Sequence, residues 1–312
     1  MYFEIDSFLP EKEVFEFLRP SSYRVMFTGD IGAKQAKAKP KTGFRLKTVK
    51  LRGQVSQGLA LPISLFPEIE NPKIQDDVTE VLSVIKWEAE PEEGFTKGEI
   101  PGVIQKSDQT RIQVLLDFFE KHKEIKFEET LKLDGASTTI YFNNGEFGVC
   151  GKNVEYERNI NTPAWKEVIN LNLEEILIDL NLNIALQCEL MGPGIQKNKD
   201  KLSKHELYLY NIQDLNTYIF LTPKERMELF NIIKDRIFEL TGIEFKHSPI
   251  LNEDIAIFSV YNTLEGILKH SEGKSINASK REGVVFKSIE KVNGEIIQFK
   301  VISNSFLLSE KE

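Results

Sequence analysis

Apolar and polar positions change rhythm about a third of the way along this 312-residue chain. Up to about residue 105, short apolar segments (Tyr23–Phe27, Phe44–Leu51, Val78–Trp87) are separated by glycine and proline. That punctuation predicts short strands in a small barrel or meander. Pro91 to Gly102 reads as a linker, with Pro91, Gly94, Gly98, Pro101 and Gly102 set among charges. Beyond it, Asp108 is placed to cap a helix over Gln109–Lys123, whose Ile112, Leu115, Leu116 and Phe119 share one face. Thr138–Phe142 and Phe147–Cys150 are predicted strands around Asn143-Asn144-Gly145, and Asn-Gly is a strong hairpin signal. A helix is predicted over Ala164–Leu180, with strands at Ala185–Leu190 and Leu207–Ile212. Thr222-Pro223-Lys224-Glu225 starts a helix that should end near Gly242: N-cap Thr, Pro at the first helical position, Glu three residues on. A final hairpin, Gly283–Lys287 and Ile296–Ile302, turns at Asn293-Gly294. The pattern therefore implies two domains, residues 1–105, β-rich, and 106–312, a larger α+β domain.

Composition narrows the class. With 41% hydrophobic and 28% charged residues the chain is typical of a globular protein. It has no apolar run of the roughly 20 residues that a membrane span needs. Its first residues lack a basic start and apolar core, so no secretion signal is expected. Two cysteines, Cys150 and Cys188, are too few for a disulfide framework or a four-ligand zinc site. Both lie in apolar, strand-like surroundings, which predicts buried free thiols and a cytoplasmic location. The net charge of -8 argues against a general nucleic-acid coat, yet the charges are unevenly spread. Eight basic and no acidic residues fall between Lys34 and Arg52: Lys34, Lys37, Lys39, Lys41, Arg45, Lys47, Lys50 and Arg52. This run is a candidate phosphate contact, with solvated surface as the alternative. Lys197, Lys199, Lys201 and Lys204 form a second basic run, and Glu88, Glu90, Glu92 and Glu93 an acidic, solvated one.

The strongest chemical signal is Lys132-Leu133-Asp134-Gly135-Ala136-Ser137. Lys-x-Asp-Gly is the nucleophile motif of covalent nucleotidyltransferases. There the lysine amine attacks the α-phosphate of a nucleotide, and glycine lets the backbone turn tightly beside it. Four later segments follow in the order that superfamily requires. Gln187-Cys188-Glu189-Leu190 presents a carboxylate near a strand end, and Leu207-Tyr208-Leu209-Tyr210-Asn211-Ile212 offers aromatic rings to a base. Arg281-Glu282-Gly283-Val284-Val285-Phe286-Lys287 resembles Glu-Gly-Val-Val-x-Lys, and Gln298-Phe299-Lys300 sets a lysine on the last strand. Each piece alone fits a surface turn, a surface carboxylate or a strand-edge lysine. Their order as a set is what carries the reading.

Over nearly its whole length the chain resembles ATP-dependent RNA ligases of the Naegleria and Deinococcus type. The resemblance rests on Leu51-Arg52-Gly53-Gln54-Val55-Ser56-Gln57-Gly58-Leu59 with Leu61-Pro62, on Asp77-Val78-Thr79-Glu80 with Lys86-Trp87-Glu88, and on Gly192-Pro193-Gly194-Ile195-Gln196-Lys197-Asn198. It implies an OB-like, RNA-binding barrel followed by an adenylyltransferase (ATP-grasp-like ligase) domain of antiparallel sheets flanked by helices. It implies ATP and Mg2+ or Mn2+ as cofactors, RNA with 5′-phosphate and 3′-hydroxyl ends as partner, and a place in RNA repair. Lys132 would carry AMP, Glu282 would hold the metal through water, and Lys287 and Lys300 would bear on the phosphates. Asp134, Gly135 and Lys152 would line the nucleotide site, Glu189 would bind ribose, Tyr210 would lie against adenine, and Arg111 would contact substrate phosphates. Freeing the lysine amine at neutral pH costs about 4 kcal/mol. Positive neighbours, a metal with Lys287 and Lys300, are expected to reduce that cost.

Three residues depart from the family pattern. Gln298 stands where the last motif usually has lysine, Lys152 where arginine precedes Asn153, and Leu131 where glutamate is common. Lysine lacks the bidentate fork of arginine. The chain runs about ten residues past the last motif, so RNA docking is expected to fall to the N-terminal domain. Two alternatives stay open: another covalent nucleotidyltransferase (a DNA ligase or capping enzyme), and an RNA-binding protein that has lost catalysis.

Overall fold

The short apolar segments near the N-terminus become short strands: β1 (Tyr2–Glu4), β2 (Ser7–Pro10), β3 (Tyr23–Thr28), β4 (Lys39–Arg45), β5 (Val49–Leu51), β6 (Gln54–Ser56), β7 (Gly58–Ala60) and β8 (Ile85–Lys86), with a single helical turn α1 (Arg19–Ser22) before β3. The computed structural model describes residues 1–28, 39–51, 54–74, 76–87, 96–106, 108–115 and 117–309. Within them these strands form a four-stranded sheet ordered β3-β4-β2-β8 and two pairs, β1-β7 and β5-β6, which trace no closed barrel. Phe3, Leu9, Phe15, Phe44, Leu46, Phe66, Leu82 and Val84 fill the core. Phe3 meets Phe15 edge to face, with centroids 5.5 Å apart. Two expected strands are shorter than their apolar runs. Phe44–Leu51 is divided between β4 and β5, and only Ile85–Lys86 of Val78–Trp87 is extended. In the latter, Val78 and Thr79 carbonyls accept from the Leu82 and Val84 amides instead, closing turns.

The chain divides into two compact units, Met1–Gly94 and Phe95–Glu310, not at the expected residue 105. The reason is β9 (Thr96–Glu99), which lies inside the expected linker but pairs with a strand of the second unit. Pro91 and Gly94 of that linker, the acidic run, and Lys34, Lys37 and Arg52 of the basic run lie outside the described residues.

The second unit continues with β10 (Thr110–Arg111), α2 (Phe118–Lys121), β11 (Phe127–Lys132), β12 (Ala136–Asn143), β13 (Glu146–Cys150) and β14 (Val154–Tyr156). Then come α3 (Pro163–Asn170), α4 (Leu173–Leu180), β15 (Ile184–Met191), β16 (Glu206–Asp214), β17 (Ile219–Phe220) and α5 (Pro223–Thr241). It closes with β18 (Lys246–His247), β19 (Ile250–Ile255), α6 (Ile257–Val260), α7 (Leu264–His270), β20 (Gly283–Ser288), β21 (Gln298–Ile302) and α8 (Asn304–Ser309). The strands form two sheets. One runs β17-β16-β15-β12-β13-β14-β9 with β18 beside β16; the other runs β10-β21-β20-β11-β19. Helices α3, α4 and α5 bury Trp165, Val168, Ile176, Leu177, Phe230 and Ile233 against Ile140, Leu186 and Leu209 of the first sheet. Ile257, Phe258 and Ile267 of α6 and α7 pack on Phe127, Phe286 and Phe299 of the second.

Turn chemistry held where side chains specify it locally. Asn144 and Gly145 take φ of 50° and 87°, and Asn293 and Gly294 take 53° and 89°, as primed hairpin turns require. Thr222 and Glu225 close a full capping box, and Gly242 ends the helix at φ 70°. Two helices differ from expectation. Gln109–Lys123 is not one helix: Thr110 and Arg111 extend beside Phe299 and Lys300 of β21, and only Phe118–Lys121 is α-helical. Ladder pairing there satisfies the backbone and leaves Ile112 buried. Ala164–Leu180 is broken at Asn172, which adopts a left-handed φ of 52°. Asparagine tolerates that conformation, and the break lets α3 and α4 each bury an apolar stripe in one core. Cys150 and Cys188 are free and buried, as expected. Among the described residues, no helix is long and apolar enough to cross a membrane.

Candidate active site

Lys132 is the last residue of β11, and β12 begins at Ala136 in the other sheet. Residues 133–135 therefore carry the chain from one sheet to the other, with Lys132 at the crossing. Gly135 is needed there because a Cβ would lie 2.4 Å from the Leu190 carbonyl oxygen and 2.8 Å from Glu189 Cγ. Close approach to β15, not an unusual dihedral, is what the glycine permits. Strand register then delivers the carboxylates. Lys132 pairs with Gly283 across β11 and β20, so Glu282 arrives beside it, and Lys132 Nζ donates to Glu282 Oε2 at 2.8 Å. Glu189 pairs with Ser137 on β12 and accepts from the Gly135 amide at 2.9 Å.

Where the two sheets meet lies a cavity of about 400 Å³. Lys132, Gly135, Lys152, Glu189, Tyr210, Lys287 and Lys300 all line it. Glu282 reaches it through Lys132. Asp134 is not among the lining residues; its Oδ2 pairs with Lys199 Nζ at 2.9 Å. Arg111 is also absent from the lining, but register sets it beside Lys300. Tyr210 owes its position to a β-bulge: Gln187 pairs with Asn211 and Cys188 with Leu209, leaving Tyr210 as the extra residue. Bulges re-aim side chains next to sites. Its carbonyl accepts a hydrogen bond from Lys287 Nζ.

Sequence reasoning missed Asp108 as a lining residue of the cavity and Lys199 as the partner of Asp134. Asp108 was read as a helix cap, yet Oδ1 accepts from Lys300 Nζ at 2.7 Å and Oδ2 lies 3.4 Å from Lys152 Nζ. No local signal links positions so far apart in sequence. Lys199 stood out only as one of a basic run. Gln298, where lysine was expected, accepts from Asn211 Nδ2 at 3.2 Å.

Electrostatics separate the site into unlike parts. Burial opposes charge on Lys132, but Glu282, Glu189 and Asp134 outweigh it and raise its pKa. The lowering was expected from a metal together with Lys287 and Lys300; the protein groups by themselves favour the ammonium form, through these three carboxylates. Burial and the nearby Glu282 and Asp134 push Glu189 up to about 7, against the pull of Lys132. Burial likewise raises Glu282, against Lys132. Burial, with Lys132 and Arg111, pushes Lys300 down to about 7, and the Asp108 contact opposes that by favouring the charged form. Burial and Arg226 hold Lys287 well below the usual lysine range. Arg226 is fully buried, bonds Glu128 at 2.5 Å and donates to His247 Nε2 at 3.1 Å.

The family model described as RNA ligase matches residues 125–302. The chain belongs to the RNA ligase family. A second model, described as an OB-fold domain, matches residues 1–63 of this ligase. The apo form of a Naegleria gruberi RNA ligase mutant is similar over 99% of this chain and 85% of its own, at 39% identity and TM-score 0.83. Mutants of the same Naegleria ligase solved with AMP and Mn, and with ATP and Mn, match equally: 39% identity, 99% of this chain, 86% of theirs, TM-score 0.83. No curated protein sequence matches the chain.

A divalent cation fits this site on its donor chemistry. Burial raises both Glu189 and Glu282, with Glu282 adding to Glu189 and Asp134 to each, and nearby positive charge favours the ionised carboxylates. Among the described residues no three His, Cys, Asp or Glu side chains form a metal cage. One carboxylate plus water and phosphate oxygens is the arrangement magnesium accepts.

Proposed function

We propose that this ligase joins RNA 5′-phosphate and 3′-hydroxyl ends at the expense of ATP, through AMP linked to Lys132. The observation that carries this reading is Lys132 at the sheet crossing, 2.8 Å from Glu282, on a cavity also lined by Lys152, Lys287 and Lys300. In the first step Lys132 Nζ, as the free amine, bonds to the α-phosphorus of ATP, and the bond to the β-phosphate oxygen breaks as pyrophosphate leaves. In the second, a 5′-phosphate oxygen of RNA takes the AMP and frees Lys132. In the third, an RNA 3′-hydroxyl attacks that 5′-phosphate and AMP departs.

Glu282 holds the Lys132 proton at Oε2 before the nucleotide arrives. Magnesium or manganese, when bound, would be held by Glu282 and would supply positive charge that favours release of the Lys132 proton and offsets charge on phosphoryl oxygens. Lys300, Lys152 and Arg111 bind phosphates; Glu189 orients the ribose; Tyr210 lies against adenine. Fixed positive charges aimed at phosphoryl oxygens are the largest part of such catalysis. RNA docks on the N-terminal unit, where Lys41, Arg45 and Lys47 belong to the basic run. Two buried free thiols fit a reducing cytoplasm.

Intact-protein mass after incubation with ATP and magnesium or manganese tests the first step. An AMP adduct is expected in the parent and absent from Lys132→Ala. No adduct with either metal, in protein first cleared of prebound AMP by pyrophosphate, would overturn the reading. Transfer from the adduct to a nicked RNA then tests the acceptor: a sealed strand is expected only with 5′-phosphate and 3′-hydroxyl ends.

A further inference from the structure

We propose that Asp108 is a built-in competitor for the nucleotide's phosphates, an anion supplied by the chain itself that holds Lys300 and Lys152 until ATP displaces it. The inference rests on the ligase reading above and adds what sets nucleotide affinity and pyrophosphate release.

Asp108 Oδ1 lies 2.7 Å from Lys300 Nζ and Oδ2 lies 3.4 Å from Lys152 Nζ. All three residues line the same cavity as Lys132. One two-oxygen anion thus bridges two lysine side chains, the contact a phosphate would make between the same partners. The contact is built by the fold. Thr110 and Arg111 pair in parallel with Phe299 and Lys300, so the backbone two residues from Asp108 is tied to the strand that carries Lys300. Lys300 is largely shielded, with its side chain 13% exposed, so its ion pair is screened less than a surface one.

A carboxylate at this place acts on phosphates in two ways. It occupies the cations they need, and it repels them once they arrive. Both weaken nucleotide and pyrophosphate binding relative to the same cations without Asp108. The gain is in turnover, because pyrophosphate leaves a site whose cations have a resident partner to return to.

Asp108→Asn removes the charge and keeps the size. Calorimetric titration of the full chain with inorganic pyrophosphate, and with AMP as a reference, tests the idea. Pyrophosphate should bind Asp108→Asn about tenfold more tightly than the parent, with a smaller change for AMP, since a removed charge contact is worth roughly one decade. In steady-state sealing the variant should be inhibited by pyrophosphate at about tenfold lower concentration. Asp108→Ser should move both readouts the same way, which guards against a peculiarity of the asparagine. If Asp108 merely props Lys300, both variants bind pyrophosphate more weakly, and the proposal fails while the parent still forms its AMP adduct. A parent that forms no adduct and binds no pyrophosphate overturns the ligase reading and this inference together.

Discussion

Two lysines, one half-buried and one buried, face the same cavity along one pair of strands, and their surroundings drive them in opposite directions. Lys132 ends β11 opposite Gly283, and Lys287 lies on β20 opposite Glu128. Each has a carboxylate at hand. Glu282 is spent on Lys132, whereas Glu128 is spent on the fully buried Arg226. Lys132 therefore holds its proton more firmly than an ordinary lysine, and Lys287 far less firmly. Lys287 makes its bond to the neutral Tyr210 carbonyl instead. Burial alone predicts the same fate for both; what differs is which cation captured the neighbouring carboxylate.

The largest expected effect comes from breaking the capture. Arg226→Met leaves Glu128 charged in the core and should cost about 3–5 kcal/mol, read as a lower unfolding midpoint in urea. The freed Glu128 should then turn to Lys287, making it resemble Lys132. Glu128→Met with Arg226→Met should cost clearly less than the two single losses combined, since neither charge is left alone.

Removing Lys287 itself is next. Lys287→Met should slow AMP-adduct formation about 10²-fold, the scale of one lost hydrogen-bond donor to charge developing in a transition state, in a rapid-quench assay. An unchanged rate would make Lys287 a structural residue and confine the chemistry to the Lys132 side.

On that side, Gly135→Ala should destabilise by about 1–3 kcal/mol, because its Cβ meets the Leu190 carbonyl oxygen at 2.4 Å. Thermal melting reads it. A neutral result would mean the crossing is looser than its contacts indicate.

The last effect is in pH dependence. Glu189 titrates near 7 in the folded chain, above the 4.5 of a free carboxyl. Between those values the folded state binds the extra proton, so this group's contribution to stability falls as pH rises from about 4.5 to 7 and is flat above. The slope is at most about 1.4 kcal/mol per pH unit. Glu189→Gln should flatten that part of the urea stability profile.

Local signals in the sequence were reliable where one or two neighbouring side chains decide a conformation. Both Asn-Gly hairpins and the Thr222 cap are of this kind. The two helices misread, Gln109–Lys123 and Ala164–Leu180, had good apolar periodicity. Partners far along the chain overrode it: β21 drew Thr110 and Arg111 into a ladder, and a shared core favoured two short helices over one. Of the expected site residues, seven line the cavity and Glu282 touches one of them. Asp134 and Arg111 are not among the lining residues; Asp134 pairs with Lys199, and Arg111 lies in register with Lys300.

The sequence by itself determined the order of motifs and the family, because those depend on residue type and short spacing. Only the tertiary structure decided which carboxylate meets which cation. Asp108 and Lys300, Glu128 and Arg226, and Asp134 and Lys199 are joined by strand register and sheet crossing across large gaps in sequence. Those pairings, summed through the low dielectric of a buried site, set the charge each lysine carries, and no count of lysines along the chain contains them.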